Sequence, residues 1–333
     1  MFEQSVMLLF LWLSNVALVG VVRAYALKFL LDQPNQRSSH QQPTPRGGGL
    51  ASVLIYALAI IYLYIEQRIQ LNELLFTGLG VAVAVIGFWD DHRPVQPHWR
   101  FLGHLLASFA ALMAIQGLPN DIFAPLSVHL GWIGYVFEAL FIAWMLNLFN
   151  FMDGIDGIAA SEACFVSFGL ASFLWYQGSD QALPALLLGV VSAGFLVWNW
   201  PPAKIFMGDV GSGFFGFMLG VLILVSAHVN PVMFPVGLVL FALFIADASY
   251  TLLRRMLSGQ KWYAAHCSHA YQKLAKIHGH AYVVRRLWMV NLGYLFPLSA
   301  LTFFDLCPGW FSLLLAYVPI IVAVHYMAAG TDV

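Results

Sequence analysis

Residues 210–227 read Val-Gly-Ser-Gly-Phe-Phe-Gly-Phe-Met-Leu-Gly-Val-Leu-Ile-Leu-Val-Ser-Ala, with no charge and no polar group larger than a hydroxyl. A helix needs about 20 mostly apolar residues to cross a hydrocarbon core roughly 30 Å thick, and this stretch nearly suffices alone. Working outward, the pattern recurs near 5–22, 48–65, 72–88, 101–117, 128–148, 157–176, 182–199, 232–252, 287–304 and 309–328. Of 333 residues, 61% are hydrophobic and only 9% charged. Soluble domains carry roughly 25% charged residues. A soluble globule, a fibrous chain and a disordered chain are therefore excluded. The expectation is an all-α polytopic membrane protein, a single domain over 1–333, bundling about eleven transmembrane helices.

The first apolar stretch lacks a basic leader and a small-residue cleavage site, so it reads as a span rather than a signal peptide. The formal net charge of −1 gives no reason to expect nucleic-acid binding. Cys164, Cys267 and Cys307 are an odd number without a CxxC pair, so no disulfide framework follows. With eleven spans, the loops after spans 1, 3, 5, 7 and 9 share one side. Those loops and their flanks hold every Lys and Arg except Arg68. Basic loops stay cytoplasmic, which sets the N-terminus outside. Asp32, Asp90, Asp91, Asp153, Asp156 and Asp209 fall on the same basic side. Polar, glycine-rich stretches thus converge on one membrane face, as an active site at the bilayer surface requires. Loops that merely connect helices are the plainer alternative.

Each stretch has its own chemistry. Asp32 to Gly49 contains Arg37, Thr44 and Arg46 and ends in three glycines. Glycines ahead of an apolar run leave backbone N–H groups bare, an anion cradle at a helix start. In Gly87-Phe-Trp-Asp90-Asp91, negative charge at a helix C-terminus opposes the helix dipole and asks for a partner. Paired hard oxygen ligands suit Mg²⁺ on a substrate phosphate. Asn147-Leu-Phe-Asn150-Phe-Met-Asp153-Gly-Ile-Asp156-Gly157 has acids and glycines that span packing does not require. They suit sugar hydroxyls, a nucleobase or basic groups, or else cap the next span. In Lys204-Ile-Phe-Met-Gly-Asp209-Val-Gly-Ser-Gly, the acid is an N-cap, a metal ligand or both. The basic segment 254–286 carries His266-Cys-Ser-His269 and His278-Gly-His280, suited to a pyrophosphate or to an amphipathic helix over anionic lipid. Asp247, inside span 9, is a functional candidate or a partner of Arg254 or Arg255. Glu138 and Glu162 are intramembrane acids of the same kind.

Taken in order, DQPNQRSSHQQPTPRGGG, GFWDD, NFMDGIDG, FMGDVGSG and HCSHAYQ resemble the polyprenyl-phosphate N-acetylhexosamine-1-phosphate transferases of the MraY/WecA superfamily. The resemblance spans about residues 30 to 285. It implies a bundle of ten or eleven transmembrane helices in a bacterial inner membrane, with the N-terminus periplasmic and the active site cytoplasmic. It implies transfer of a sugar-1-phosphate from a UDP-N-acetylhexosamine to undecaprenyl phosphate, releasing UMP, with Mg²⁺ or Mn²⁺ as cofactor. By the same resemblance Asp90, Asp91 and His269 are catalytic, and Asp209 and Asp91 hold the metal. Asn150, Asp153, Asp156, Arg46, Thr44, Arg37, Lys204 and His266 contact substrate. The triple-His run of the peptidoglycan branch is missing, which argues against UDP-MurNAc-pentapeptide. PTPRGGG and PPAKIFMGDVGSG resemble the branch that begins O-antigen or related polysaccharide synthesis, with UDP-GlcNAc or a 6-deoxy relative as donor. A homodimer is an assembly this reading allows.

Two other classes compete. A secondary transporter places its acids midway through broken helices in repeated halves, whereas these acids sit at one face and no repeat is evident. An intramembrane aspartyl protease is suggested by Gly208-Asp209. It needs two aspartates facing each other within helices, and only Asp247 lies deep in a span.

Overall fold

The computed structural model describes residues 2–34, 42–115, 131–260 and 266–331. Helices dominate: α1 (Phe2–Phe29), α2 (Gly49–Ile65), α3 (Leu71–His92), α4 (Pro97–Ile115), α5 (Gly131–Met152), α6 (Ile158–Tyr176), α7 (Ala182–Asn199) and α8 (Asp209–Val229). They continue with α9 (Met233–Leu240), α10 (Ala242–Leu257), α11 (Ala270–His278), α12 (His280–Val290), a π-helical turn (Asn291–Leu295), α13 (Phe296–Phe303) and α14 (Gly309–Tyr326). A two-residue ribbon, β1 (Leu31–Asp32) against β2 (Thr44–Pro45), is antiparallel.

Every expected span falls on a helix or a broken helix, so the all-α polytopic class holds. The count differs. By length and apolar composition, seven described helices can cross a membrane, or eight if the pair α9 and α10 is one span bent by 70°. The shortfall from eleven has physical causes. Helix α2 has only 17 residues. Helix α4 starts at Pro97 and carries His98, Arg100 and His104. Span 10 is split among α12, the π turn and α13.

Helix α8 is the axis, packed against α2, α3, α5, α6 and α9. Without a hydrophobic drive between helices in lipid, association depends on close van der Waals fit and small residues. Phe214, Phe215 and Phe217 of α8 are fully buried, and Phe149 of α5 packs on Phe215, Phe241 and Phe244. At the end of the bundle where α2 and α8 begin, the fit is tighter still. A Cβ at Gly49 would meet Gly211, and a Cβ at Gly87 would meet the Asp209 backbone. These backbone contacts seat the starts of α2 and α8 beside the end of α3, which carries Asp90 and Asp91.

Overpacking a close crossing costs about 1–3 kcal/mol, sometimes more. Gly87→Val should therefore lower the thermal unfolding midpoint in detergent, whereas Gly78→Val, with open space around it, should move it little.

Candidate active site

Backbone pairing builds the floor. Phe206 N–H donates to Pro45 O at 2.8 Å, and the Gly48 and Gly49 amides donate to Phe206 and Met207 carbonyls at 2.9 Å each. The Gly48 and Gly49 amides are thus taken up by residues 206 and 207 rather than left bare, and these two glycines serve close approach.

Asp91 resolves the dipole conflict seen in the sequence. Its Oδ1 and Oδ2 accept the N–H groups of Asp209 and Val210, each at 3.2 Å. A carboxylate at the end of α3 therefore caps the start of α8, satisfying orphan donors and meeting the positive end of a dipole. Arg46 completes the setting, donating to the Asp91 carbonyl at 2.5 Å and standing 3.6 Å from Oδ1. Gly208 is needed here, because a Cβ would lie 2.6 Å from Asp91 Oδ2 and φ is +75°. Asp90 turns the other way. It accepts from Val95 N–H at 2.6 Å and from Arg100 at 2.5 Å, and Arg100 also reaches Asp209 Oδ2 at 2.8 Å. One guanidinium joins two carboxylates.

The second wall is the turn after α5. Gly157, with φ +74°, donates its N–H to Asn199 Oδ1 at 2.9 Å, and Asp156 Oδ2 accepts the Ala203 N–H at 3.0 Å. Asn150 accepts from Ser212 of α8 at 2.8 Å. The Asp153 carboxylate has no hydrogen bond or ion pair among the described residues. Burial pushes its carboxyl well above the ordinary carboxylate range, and the charges of Asp209, Asp91 and Asp156 push the same way.

The third wall is 266–272. Asp247 of α10 accepts N–H bonds from Ala270 and Tyr271 at 3.1 Å each, capping α11, and lies 3.3 Å from His269 Nδ1. Its partners are therefore His269, the α11 start and the Thr251 hydroxyl, which donates to it at 3.0 Å. Arg254 instead donates to Ala329 O and Arg255 to Ser268. The Tyr271 hydroxyl donates to Phe151 O at 2.8 Å, tying α11 to the end of α5.

Between these walls lies a cavity of about 290 Å³, lined by the expected residues Arg46, Asp91, Asn150, Asp153, Asp156, Asp209 and His266. Asp90 stands behind it through Arg100. His269 is buried, stacked 5.0 Å from His266. Thr44 donates to Gln42 O, and Lys204 lies over the Trp198 ring at 5.5 Å; neither lines the cavity. Arg37 lies outside the described residues. Three larger hollows, about 630, 530 and 330 Å³, are mainly apolar.

The glycosyl transferase family 4 profile matches residues 73–227, from α3 through α8. A Bacillus subtilis protein, named a probable undecaprenyl-phosphate N-acetylglucosaminyl 1-phosphate transferase, is 28% identical over 93% of this chain and 87% of its own. The Yersinia pestis undecaprenyl-phosphate alpha-N-acetylglucosaminyl 1-phosphate transferase is 29% identical over 82% of this chain and 77% of its own. A Bacillus licheniformis phospho-N-acetylmuramoyl-pentapeptide-transferase is 32% identical over 52% of this chain and 59% of its own. The chain thus resembles glycosyl transferase family 4 over residues 73–227, and transferases of the MraY/WecA superfamily along most of its length.

The protein is an enzyme of the sugar-1-phosphate transferase class, as its relatives are named, and the transporter and protease readings are set aside. Its site includes residues that the sequence left without a role. Arg100 had counted only as a basic residue of a cytoplasmic flank. Asn199, Gln272 and His280 also line or brace the cavity. Asn199 had one signal, a lone amide closing an apolar run before Trp-Pro-Pro. His280 had stood only in the His278-Gly-His280 motif, and Arg100 and Gln272 lacked any signal, because their partners lie far along the chain.

The donor set fits a hard cation in one respect. Asp153 and Asp209 offer carboxylate oxygens to the cavity, and Asp153 lacks a counter-charge. Among the described residues no three His, Cys, Asp or Glu side chains are grouped to hold an ion alone. Magnesium ordinarily takes one or two carboxylates and completes its shell with water and substrate phosphate.

Losing a buried acceptor's partners costs about 1–3 kcal/mol. Asp91→Ala should accordingly lower the unfolding midpoint in detergent without divalent ions. Asp153→Asn should leave it unchanged or raise it, because it removes a buried charge that nothing balances.

Proposed function

We propose that this enzyme moves an N-acetylhexosamine-1-phosphate from a UDP-sugar to undecaprenyl phosphate, releasing UMP and leaving the sugar on a lipid pyrophosphate. The donor is UDP-GlcNAc or a 6-deoxy relative such as UDP-FucNAc or UDP-QuiNAc, and the product opens O-antigen or related polysaccharide synthesis. In this reading the chain lies in the inner membrane with its N-terminus periplasmic and its cavity cytoplasmic. The relatives' names support the reaction class. The observation in the molecule that supports it most is the unbalanced carboxylate of Asp153 beside Asp209, at helix ends flanked by Arg46 and Arg100.

The chemistry is a displacement at phosphorus. An oxygen of the acceptor phosphate bonds to the sugar-bearing phosphorus of the donor while the bond from that phosphorus to the UMP oxygen breaks. The electron pair leaves with UMP. A phosphate monoester with a second pKa of about 6 is mostly dianionic near neutrality, so no base is needed to prepare it. The obstacle is bringing two anions together. Asp209 and Asp153 would hold Mg²⁺, with Mn²⁺ as a substitute; the ion supplies charge neutralisation for the reactants and the leaving group.

The protein's own groups do the positioning. Arg100 fixes Asp90 and Asp209 relative to each other, and Asp91 with Arg46 fixes the start of α8. The Asn150–Gly157 segment receives the nucleotide sugar, and His266, backed by His269, faces the same space. The apolar hollow of about 530 Å³ shares Tyr271 with this wall and supplies a groove for a prenyl chain.

The test offers purified protein Mg²⁺, undecaprenyl phosphate and a panel of UDP-GlcNAc, UDP-GalNAc, UDP-FucNAc, UDP-QuiNAc and UDP-MurNAc-pentapeptide. UMP should appear for one of the GlcNAc-type donors and only when the lipid acceptor is present, with the matching lipid product by mass. UMP release without acceptor, or silence across the panel from folded protein, would refute the assignment. Asp209→Asn should abolish turnover while keeping the wild-type unfolding profile above ambient temperature; retained activity would remove Asp209 from the metal.

A further inference from the structure

The Asp153–Gly157 turn is held at Gly157 by Asn199 and at Asp156 by the Ala203 amide, and a third tether comes from α12. Helix α11 ends at His278, and Gly279, with φ +82° and ψ 161°, swings the chain so that α12 begins at His280. That conformation suits glycine alone. It places the His280 ring on the cavity wall, with Nδ1 3.2 Å from Asp156 Oδ2 and 3.3 Å from the Asp156 amide nitrogen. Its second ring nitrogen makes no hydrogen bond among the described residues. The two side chains are only 18% and 13% exposed, so the contact is largely shielded from water and is stronger than a surface pair.

A turn containing Gly154 and Gly157 is costly to order, because glycine loses the most conformational freedom on folding. Each tether raises the fraction of molecules whose turn is shaped to bind. Apparent affinity scales with that fraction. In the sequence, His280 reads only as part of a basic His-Gly-His segment suited to a pyrophosphate or a lipid surface, and the family match ends before it.

We propose that His280 is a positioning residue of the donor subsite, which through Asp156 holds the Asp153–Gly157 turn in the form that receives the uridine diphosphate of the nucleotide sugar. This rests on the reaction proposed above. Removing the tether lowers the competent fraction without touching the reacting atoms, so it acts on donor binding.

The experiment compares His280→Ala, His280→Asn and His280→Gln in the full-length enzyme. An asparagine amide sits near the place of Nδ1, whereas a glutamine amide reaches toward that of Nε2. His280→Ala should raise the donor KM by about fivefold or more and leave kcat and the acceptor KM within about twofold. His280→Asn should restore the donor KM, and His280→Gln should not. Without any substrate, amide hydrogen exchange over 153–157 should speed up in His280→Ala and return toward wild type in His280→Asn. A fall in kcat at constant donor KM, rescue by Gln rather than Asn, or unchanged exchange over the turn would each overturn the proposal. If the wild-type enzyme turns over no nucleotide sugar, the reaction fails, and the exchange comparison still decides whether His280 holds the turn.

Discussion

The Asp91 carboxylate on the first two amides of α8 is the contact on which the site depends. It joins residues 118 and 119 positions apart and settles two charges at once. Helix α3 ends in negative charge that its own dipole disfavours, and α8 begins with N–H groups that its own turn cannot satisfy. Butting the two ends together turns both costs into one hydrogen-bonded pair. The glycines at 49, 87, 208 and 211 follow from this, since only bare backbone lets the three helix ends meet. Asp209 is thereby delivered to the cavity at a fixed angle, with Arg100 behind it. Asp247 uses the same device on α11, and so presents Gln272 and His266 from the opposite wall.

Much of this was legible in the sequence and some of it was not. The apolar runs marked the long helices, though not α11, which lies in the basic segment, and the bias of Lys and Arg placed the acids together on one face. The Asp-rich and Gly-rich stretches pointed to the cavity, and seven of the residues proposed for it line it. What escaped was pairing across distance. The Gly-Gly-Gly run looked like a phosphate cradle, because nothing local shows that residues 206 and 207 take up the amides of Gly48 and Gly49. Asp247 looked like a partner for the arginines one or two turns on, whereas its partners besides Thr251 come from a loop 22 to 24 residues away. The bend between α9 and α10 is also silent, since the apolar run continues through Phe241 without a break. Arg100 carried no motif that separates it from ordinary basic-side residues, and the His278-Gly-His280 motif did not show that Asp156 is the partner.

The charge ledger of the cavity connects fold to chemistry. Asp91 is satisfied by amides and Arg46, and Asp209 by Arg100. Asp156 is held by the Ala203 amide and His280. Asp153 alone is left half-buried among like charges with no partner among the described residues, which favours its uncharged form until a cation binds. A site that stays unbalanced until a cation and a diphosphate arrive together suits an enzyme whose two substrates are both anions. The same logic explains why positive groups surround the carboxylates without neutralising them all.

The central claim is that this leftover carboxylate and Asp209 share one divalent ion. Binding of Mn²⁺ to purified protein, followed by electron paramagnetic resonance with UDP present, tests it most directly. One bound ion per chain is expected in the wild type, with loss of that binding in Asp153→Asn and in Asp209→Asn while Asp90→Asn retains it. Undiminished binding in the Asp153 and Asp209 variants, or no bound ion in the folded wild type, would contradict the account.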